Sequence, residues 1–306
     1  ALGFGCMRLP TVGGEHSKIN EPEAIRMIRY AIDQGVNYVD TAYVYHGGNS
    51  EILVGKALED GYRERVRVAT KLPVWQVNSR EDMDRVFNEQ LQRLQTDRLD
   101  FYLLHSLDED SWKKIVGLNV FEWAERTMAE GRIKHLGFSF HDDYEVFKDI
   151  VDGYDKWTFC QIQYNYENEE VQAGTKGLKY AAGKGLAVVI MEPLLGGNLT
   201  NPPPAVRKAW DEAKEDPVDM ALRWLWNKPE VSVVLSGMSA MEQVQGNVKS
   251  ASRSGVNTLS EGDLELIASV REKYKEVRPI PCTKCNYCMP CPNGVDIPRN
   301  FDIYNQ

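Results

Sequence analysis

The chain has 306 residues, 42% of them hydrophobic, which is enough apolar material for one large domain or two ordinary ones. Its 36 basic and 45 acidic residues give a formal net charge of −9, which argues against nucleic acid or an anionic membrane as a partner. The apolar runs are far shorter than the roughly 20 residues that a membrane helix needs, and nothing near residue 1 resembles a signal peptide, so we expect a cytoplasmic protein.

Short apolar segments with the composition of β-strands alternate with segments that have helical periodicity. We predict strands at residues 2–5, 37–40, 67–70, 99–104, 135–139, 158–164, 187–191 and 231–235. Helices are predicted at residues 21–35, 51–60, 80–94, 120–131, 144–152, 177–185, 217–227 and 240–251. Eight strands, each followed by a helix, over about 250 residues predict an α/β protein built as a (β/α)8 TIM barrel. A doubly wound dinucleotide-binding sheet would need a GxGxxG turn, and "LGFGCM" lacks the third glycine.

The end of the chain differs in composition from the predicted barrel. One further helix is predicted at about residues 261–275, and the two prolines of "EVRPIP" mark a boundary after it. We therefore predict a barrel at residues 1–275 and a short cysteine-rich segment at residues 276–306. Residues 201–206, "NPPPAV", are expected to form an exposed loop after the seventh strand. Because the chain begins without methionine and stops with no obvious terminal element, we expect residues to be missing from both ends.

Four ionisable residues lie at or just after the ends of successive predicted strands: Asp40, Tyr45, Lys71 and His105. Taken singly, each has an ordinary interpretation as a helix cap, a loop tyrosine, a solvated lysine or a core histidine. In a barrel, however, the residues after the strands converge on one mouth.

There, a lysine cation would lower the pKa of the nearby tyrosine, and a carboxylate would keep the lysine charged. The histidine would form a hydrogen bond to a bound carbonyl group. Together the four side chains predict proton transfer to and from a carbonyl compound.

The segments that carry these residues, "VDTAYVYHGGNSE", "VATKL" and "DFYLLH", resemble the signature segments of the aldo-keto reductases, and the likeness extends over about residues 1–275. The resemblance implies that Tyr45 is the general acid and base for interconverting an aldehyde or ketone and an alcohol. It also implies that Lys71 and Asp40 tune the tyrosine, that His105 positions a small carbonyl substrate, and that NAD or NADP carries the hydride.

The resemblance also implies a set of cofactor-binding residues. The nicotinamide side would be formed by Cys6, Met7, Asp40, Ser139, Gln161, Met191, Leu194 and Gly196, and the adenosine side by Gly237, Met238, Gln243 and Asn247. Two residues depart from the family pattern: Phe140 replaces an asparagine and Met191 replaces a stacking aromatic residue. Because the turn after strand eight carries no lysine or arginine for a 2′-phosphate, the choice between NAD and NADP stays open.

The segment "CTKCNYCMPCP" places Cys282, Cys285, Cys288 and Cys291 within ten positions. Such close spacing favours metal or cluster ligation over a disulfide framework. The first three cysteines match the spacing of bacterial ferredoxins, although the fourth follows one residue early. A zinc site and free thiols are the alternatives. The segment resembles the ferredoxin-type 4Fe-4S extension of a subset of aldo-keto reductases, cut off before its second cysteine group.

We predict an NAD(P)-dependent oxidoreductase of the aldo-keto reductase type. One alternative is an iron-sulfur electron-transfer protein that uses nicotinamide as its donor, with ferredoxin as a possible redox partner. The other alternative is a redox-sensing module that binds the nucleotide and turns over slowly.

Overall fold

The computed structural model of the protein describes residues 1–277, 280, 282 and 288–304. Eight parallel strands pair in chain order and close into a barrel, because the first strand also pairs with the last. The strands are β1 (Leu2–Gly5), β2 (Tyr38–Asp40), β3 (Arg67–Leu72), β4 (Leu99–Leu107), β5 (Ile133–Phe140), β6 (Phe159–Gln163), β7 (Ala187–Met191) and β8 (Val231–Gly237). All eight predicted strands and the predicted (β/α)8 barrel are therefore confirmed.

Helices surround the barrel, and most of them match the prediction. They are α1 (Glu21–Asp33), α2 (Asn49–Ala57), α3 (Arg80–Arg93), α4 (Glu109–Gly117), α5 (Val120–Ala129), α6 (Tyr144–Asp152), α7 (Gly174–Gly183), α8 (Pro204–Ala213), α9 (Pro217–Trp226), α10 (Met241–Ser252), α11 (Glu261–Val277) and α12 (Ile297–Tyr304). Among the residues that the structure describes, no helix is long and apolar enough to cross a membrane.

One loop prediction is partly wrong. The segment at residues 201–206 is not all loop, because α8 begins at Pro204. The first turn of a helix has backbone N–H groups without intrahelical partners, so a proline there removes no intrahelical hydrogen bond. The run of three prolines thus leads into a helix, whereas the sequence predicted an exposed loop over the whole segment.

The core has two layers. Side chains that fill the barrel interior include Tyr38, Leu103 and Phe159, whereas a larger apolar layer packs between the strands and the surrounding helices. Gly137 on β5 makes room inside the barrel, since a Cβ atom there would lie 2.5 Å from Phe159. The packed interior leaves the C-terminal ends of the strands as the place where polar groups can gather.

β4 extends beyond its predicted end and includes the polar residue His105. The strand runs to Leu107, and its register against β5 shifts between Leu104 and Leu107. His105 therefore lies inside the strand rather than directly after it. The backbone of Ser106 has a φ of 58°, an uncommon conformation for a residue with a side chain.

Candidate active site

A buried ion pair lies at the C-terminal ends of β2 and β3. The Lys71 ammonium group is fully buried and donates to Asp40 Oδ1 at 2.6 Å and to the Thr41 carbonyl oxygen at 2.8 Å. Burial raises the pKa of Asp40 above its ordinary value, although the charge of Lys71 opposes this shift. A buried cation is tolerated only where it is paired and hydrogen-bonded, and these contacts meet that requirement.

Tyr45 lies beside this pair. It begins a short 3-10 turn, Tyr45–Gly48, in the loop between β2 and α2. The Lys71 Nζ atom is 4.9 Å from the centroid of the tyrosine ring. Burial, followed by the negative charge of Asp40, raises the pKa of Tyr45 well above its ordinary value. The sequence-based expectation of a lowered pKa was therefore wrong in direction for the protein without ligands, because desolvation and the carboxylate outweigh the cation.

His105 completes the group beside the tyrosine. Its ring centroid is 6.0 Å from that of Tyr45, in an edge-to-face arrangement, and 5.1 Å from that of Trp75. Burial, assisted by the positive charge of Lys71, lowers the pKa of His105 well below its ordinary value. The imidazole is therefore neutral at physiological pH. Its Nδ1 atom is buried and has no hydrogen-bond partner among the described residues.

A buried polar network supports β3 from behind. Gln90 on α3 donates from Nε2 to the Lys71 carbonyl oxygen at 3.0 Å and to Glu51 Oε1 at 2.7 Å. Glu51 is fully buried and also accepts from Thr70 Oγ1 at 2.6 Å. Arg93 donates to the other oxygen of Glu51 at 3.2 Å and to the Tyr43 carbonyl oxygen at 3.1 Å. The same network thus holds both the strand of Lys71 and the loop that carries Tyr45.

A cavity of about 720 Å³ extends from Asp40 and Tyr45 to helix α10. Most of the residues predicted to bind a cofactor line it: Met7, Asp40, Gln161, Met191, Leu194, Gly196, Gly237, Met238, Gln243 and Asn247. Cys6 and Ser139 do not line this cavity. Cys6 is fully buried, and the hydroxyl group of Ser139 accepts a hydrogen bond from the Ser106 amide at 2.7 Å.

The cavity wall has features that fit a dinucleotide. Gln161 donates from Nε2 to the sulfur of Met191 at 3.5 Å, whereas its Oε1 atom is buried and has no partner among the described residues. A carboxamide group could supply the missing donor. Gly196 and Gly197 have φ values of 64° and 96°. The loop after β7 therefore turns at two residues that have no side chain. At the far end, Asn247 donates to Ser236 Oγ at 2.9 Å.

Sequence reasoning missed three charged or titratable residues in the same wall. Arg8, His141 and Glu192 line the same cavity as Tyr45. Burial lowers the pKa of His141 to about 4 and raises the pKa of Glu192 above its ordinary value. A usable signal was present, because His141 directly follows β5 and Glu192 directly follows β7.

The cysteine segment receives no support as a metal centre. Cys285 lies outside the described residues, and Cys282, Cys288 and Cys291 are free cysteines. In the described part of the chain, no group of three or more His, Cys, Asp or Glu residues could hold a metal ion, so the predicted 4Fe-4S cluster stays a prediction. Asn198 donates to the Cys282 carbonyl oxygen at 3.2 Å, which connects the segment to the loop after β7. A ferredoxin partner likewise has no support.

Comparison with known proteins identifies the family of this barrel. A sequence model described as the Aldo/keto reductase family matches residues 1–272 and ends before Cys282. L-galactose dehydrogenase from Arabidopsis thaliana is 27% identical over 299 residues, which cover 90% of this chain and 92% of that protein. Probable aldo-keto reductase 1 from Glycine max is 33% identical over 147 residues, which cover 45% of this chain and 40% of that protein.

The fold also matches a solved structure. An aldo/keto reductase from Klebsiella pneumoniae, crystallised in complex with NADP and acetate, superposes with a TM-score of 0.70 at 25% sequence identity. The match covers 89% of this chain and 91% of that chain.

Proposed function

The chain belongs to the aldo/keto reductase family, and from this premise we propose that it interconverts an aldehyde or ketone and the corresponding alcohol, with Tyr45 as the group that gives and takes the proton. Members of this family are NAD(P)-dependent oxidoreductases, and this chain is one of them. The substrate would be a small carbonyl compound bound at the mouth of the barrel.

The observation that carries the proposal is the convergence of four side chains at one end of a cofactor-sized cavity. Lys71 is paired with Asp40 at 2.6 Å and lies 4.9 Å from the ring centroid of Tyr45, and the His105 ring lies 6.0 Å from that ring in an edge-to-face arrangement. A phenol with a raised pKa keeps its proton until a developing alkoxide draws it away. A neutral imidazole can form a hydrogen bond to the carbonyl oxygen without placing another charge beside Lys71.

When bound, the nicotinamide supplies hydride to the carbonyl carbon, or takes it back in the reverse direction. In reduction, Tyr45 transfers its proton to the carbonyl oxygen, so that one hydride and one proton make the alcohol. Lys71, held charged by Asp40, stabilises the tyrosinate that remains. Gln161 and Asn247 are placed along the cavity wall where they could bind the two ends of the cofactor.

We propose that NADH is accepted at least as readily as NADPH. Gly237, Met238 and Gln243 in the turn after β8 are uncharged, and Arg253 is already paired with Asp219 at 2.7 Å. A 2′-phosphate binds most strongly beside a free cation. Among the described residues, Lys249 is a cation in this part of the wall that shows no ion pair, and it is the residue that could favour NADPH. Fluorescence titration with the two reduced cofactors measures the preference directly.

The test of the main proposal is the variant Tyr45→Phe, assayed by nicotinamide absorbance against a panel of aldehydes and ketones. We expect kcat to fall by roughly 100-fold or more, because the phenylalanine ring has no proton to give. Tyr30→Phe is the matched control, since Tyr30 lies on α1 away from the cavity and loses the same hydroxyl group. Undiminished turnover in the Tyr45 variant would show that another group is the acid.

A further inference from the structure

Tyr45 lies in a loop whose backbone conformation is uncommon. The three residues that follow it, His46, Gly47 and Gly48, have φ values of 52°, 65° and 94°. Because His46 carries a side chain, a run of this kind persists only where its surroundings fix it. The position of the tyrosine hydroxyl group therefore depends on the side chains that contact this loop from outside.

The loop is held on one side by the turn that follows β1. Thr41 Oγ1 and Ser50 Oγ form a hydrogen bond of 2.8 Å across the base of the loop, and Ser50 also donates to the Cys6 carbonyl oxygen at 3.1 Å. The Leu9 amide donates to His46 Nε2 at 3.3 Å. These bonds give the loop support that remains when a contact on its other side is lost.

The other side of the loop is contacted by Arg93, which lies on α3. Its Nη1 atom donates to the Tyr43 carbonyl oxygen at 3.1 Å, and its guanidinium carbon lies 4.2 Å from the centroid of the Tyr43 ring. The same guanidinium group packs against Gly48, since a Cβ atom there would lie 3.5 Å from Nη1. Arg93 thus contacts the chain both before and after Tyr45.

Two carboxylates fix the guanidinium group in this place. Glu51, which is fully buried in the first turn of α2, accepts from Nη1 of Arg93 at 3.2 Å, and Glu89 on α3 accepts from Nη2. Glu89 also accepts from the Tyr43 hydroxyl group at 2.8 Å. A guanidinium group is planar and presents its donors in a fixed geometry, so it can define the position of several partners at once, which a lysine ammonium group cannot do.

We infer that Arg93 is a positioning residue for the proton transfer, because it holds residues 43–48 so that the Tyr45 hydroxyl group meets the carbonyl oxygen of the substrate. This inference rests on the proposed function, since it requires Tyr45 to be the acid. Arg93 does not line the cavity, so it acts only through the loop. Misplacing a reacting group by about 1 Å can slow a reaction by about 100-fold, and a partial displacement should lower kcat without weakening cofactor binding.

The test is Arg93→Lys, which keeps a positive charge beside Glu51 but loses the planar group. We expect kcat to fall roughly 10-fold, with the Kd for NADH within about twofold of the wild-type value in fluorescence titration. Arg63→Lys is the matched control, because 15% of the Arg63 side chain is exposed, against 19% for Arg93, and it pairs with Asp100 at 3.0 Å. Arg63 precedes β3 at the opposite end of the barrel from Tyr45, so its variant should lose stability in urea but keep kcat within about twofold.

A double-mutant cycle separates positioning from a general weakening of the fold. In the Tyr45→Phe background, Arg93→Lys should lower the residual turnover by less than about twofold, because the group that it positions is gone. Glu89→Ala removes an acceptor shared by Arg93 and Tyr43 at a side chain that is 36% exposed, and it should lower kcat by about threefold.

Three results would overturn the inference and leave the proposed function intact. They are an unchanged kcat in Arg93→Lys, an equal loss of kcat in Arg63→Lys, and an equal effect of Arg93→Lys with and without the Tyr45 hydroxyl group. Undiminished turnover in Tyr45→Phe alone would instead refute the proposed function, and this inference with it.

Discussion

Replacing Asp40 by asparagine removes the carboxylate that compensates Lys71. The ammonium group is fully buried, and its described acceptors would then be the Thr41 carbonyl oxygen at 2.8 Å and an uncharged amide oxygen in place of the carboxylate. Breaking a buried ion pair by removing one partner costs about 3 to 5 kcal/mol, because the other charge stays buried without compensation. For a chain of 306 residues this corresponds to a fall in Tm of about 5 to 8 °C, at roughly 2.1 cal/mol/K of unfolding entropy per residue.

The assay is urea denaturation of the Asp40→Asn variant, with the midpoint and slope compared with those of the wild type. Glu21→Gln is the matched control. Lys56 and Glu21 form an ion pair of nearly the same length, 2.7 Å, with both side chains about half exposed. An exposed pair of this kind contributes about 1 kcal/mol or less.

We also expect the Asp40 variant to lose turnover by about 10- to 100-fold, because Lys71 would lose the carboxylate that positions its ammonium group beside Tyr45 to stabilise the tyrosinate. If Asp40→Asn unfolded within about 1 kcal/mol of both the wild type and Glu21→Gln, the argument that Lys71 depends on this carboxylate would be refuted.

Three further predictions follow from the surroundings of the site. Gln90→Leu should lower the free energy of unfolding by about 3 kcal/mol in urea, because the Lys71 carbonyl oxygen and the Tyr102 hydroxyl group, which bonds Gln90 at 2.7 Å, both lose a partner. His141→Gln should flatten the fall in stability between pH 6.5 and about 4. In that range the unfolded chain binds a proton at His141 and the folded chain does not, so the wild type loses about 3 kcal/mol of stability to this group as the pH falls, as measured by pH-dependent denaturation. A slope identical to that of the wild type would contradict this. Cys288→Ser should keep kcat/KM within about twofold, because Cys288 is exposed and does not line the cavity; a larger loss would tie the cysteine segment to the reaction.

The barrel could be predicted from sequence because its strands are short apolar runs at regular spacing. Eight such runs, each followed by a segment with helical periodicity, predict a closed barrel, and the pairing of β1 with β8 closes it. The extra length of β4 could not be predicted in the same way, since it depends on pairing with β5 around Leu107. The first turn of α8 was missed because residues 201–206 were predicted to be an exposed loop, although proline is well accommodated in the first turn of a helix.

The sequence predicted which residues converge at the candidate site, but it did not predict the direction of the pKa shift of Tyr45. Asp40, Tyr45 and Lys71 were placed together by their positions at strand ends, but the direction of the pKa shift of Tyr45 depends on burial, which a sequence does not give. Glu192 was not predicted because the resemblance to the aldo-keto reductases implied no role for this position. The cytoplasmic location, the roles of individual residues and the iron-sulfur cluster stay predictions.

The contact between Gln161 and Met191 is expected to make the proposed cofactor site sensitive to oxidants. Met191 is half-buried, lines the cavity and offers its thioether sulfur as a weak acceptor to the Gln161 amide. Peroxide would convert this sulfur to a sulfoxide, whose oxygen is a far stronger acceptor and would hold the amide in place. A bound nicotinamide would cover the same atom, so the resting enzyme is expected to lose activity to peroxide faster than the enzyme kept saturated with its cofactor.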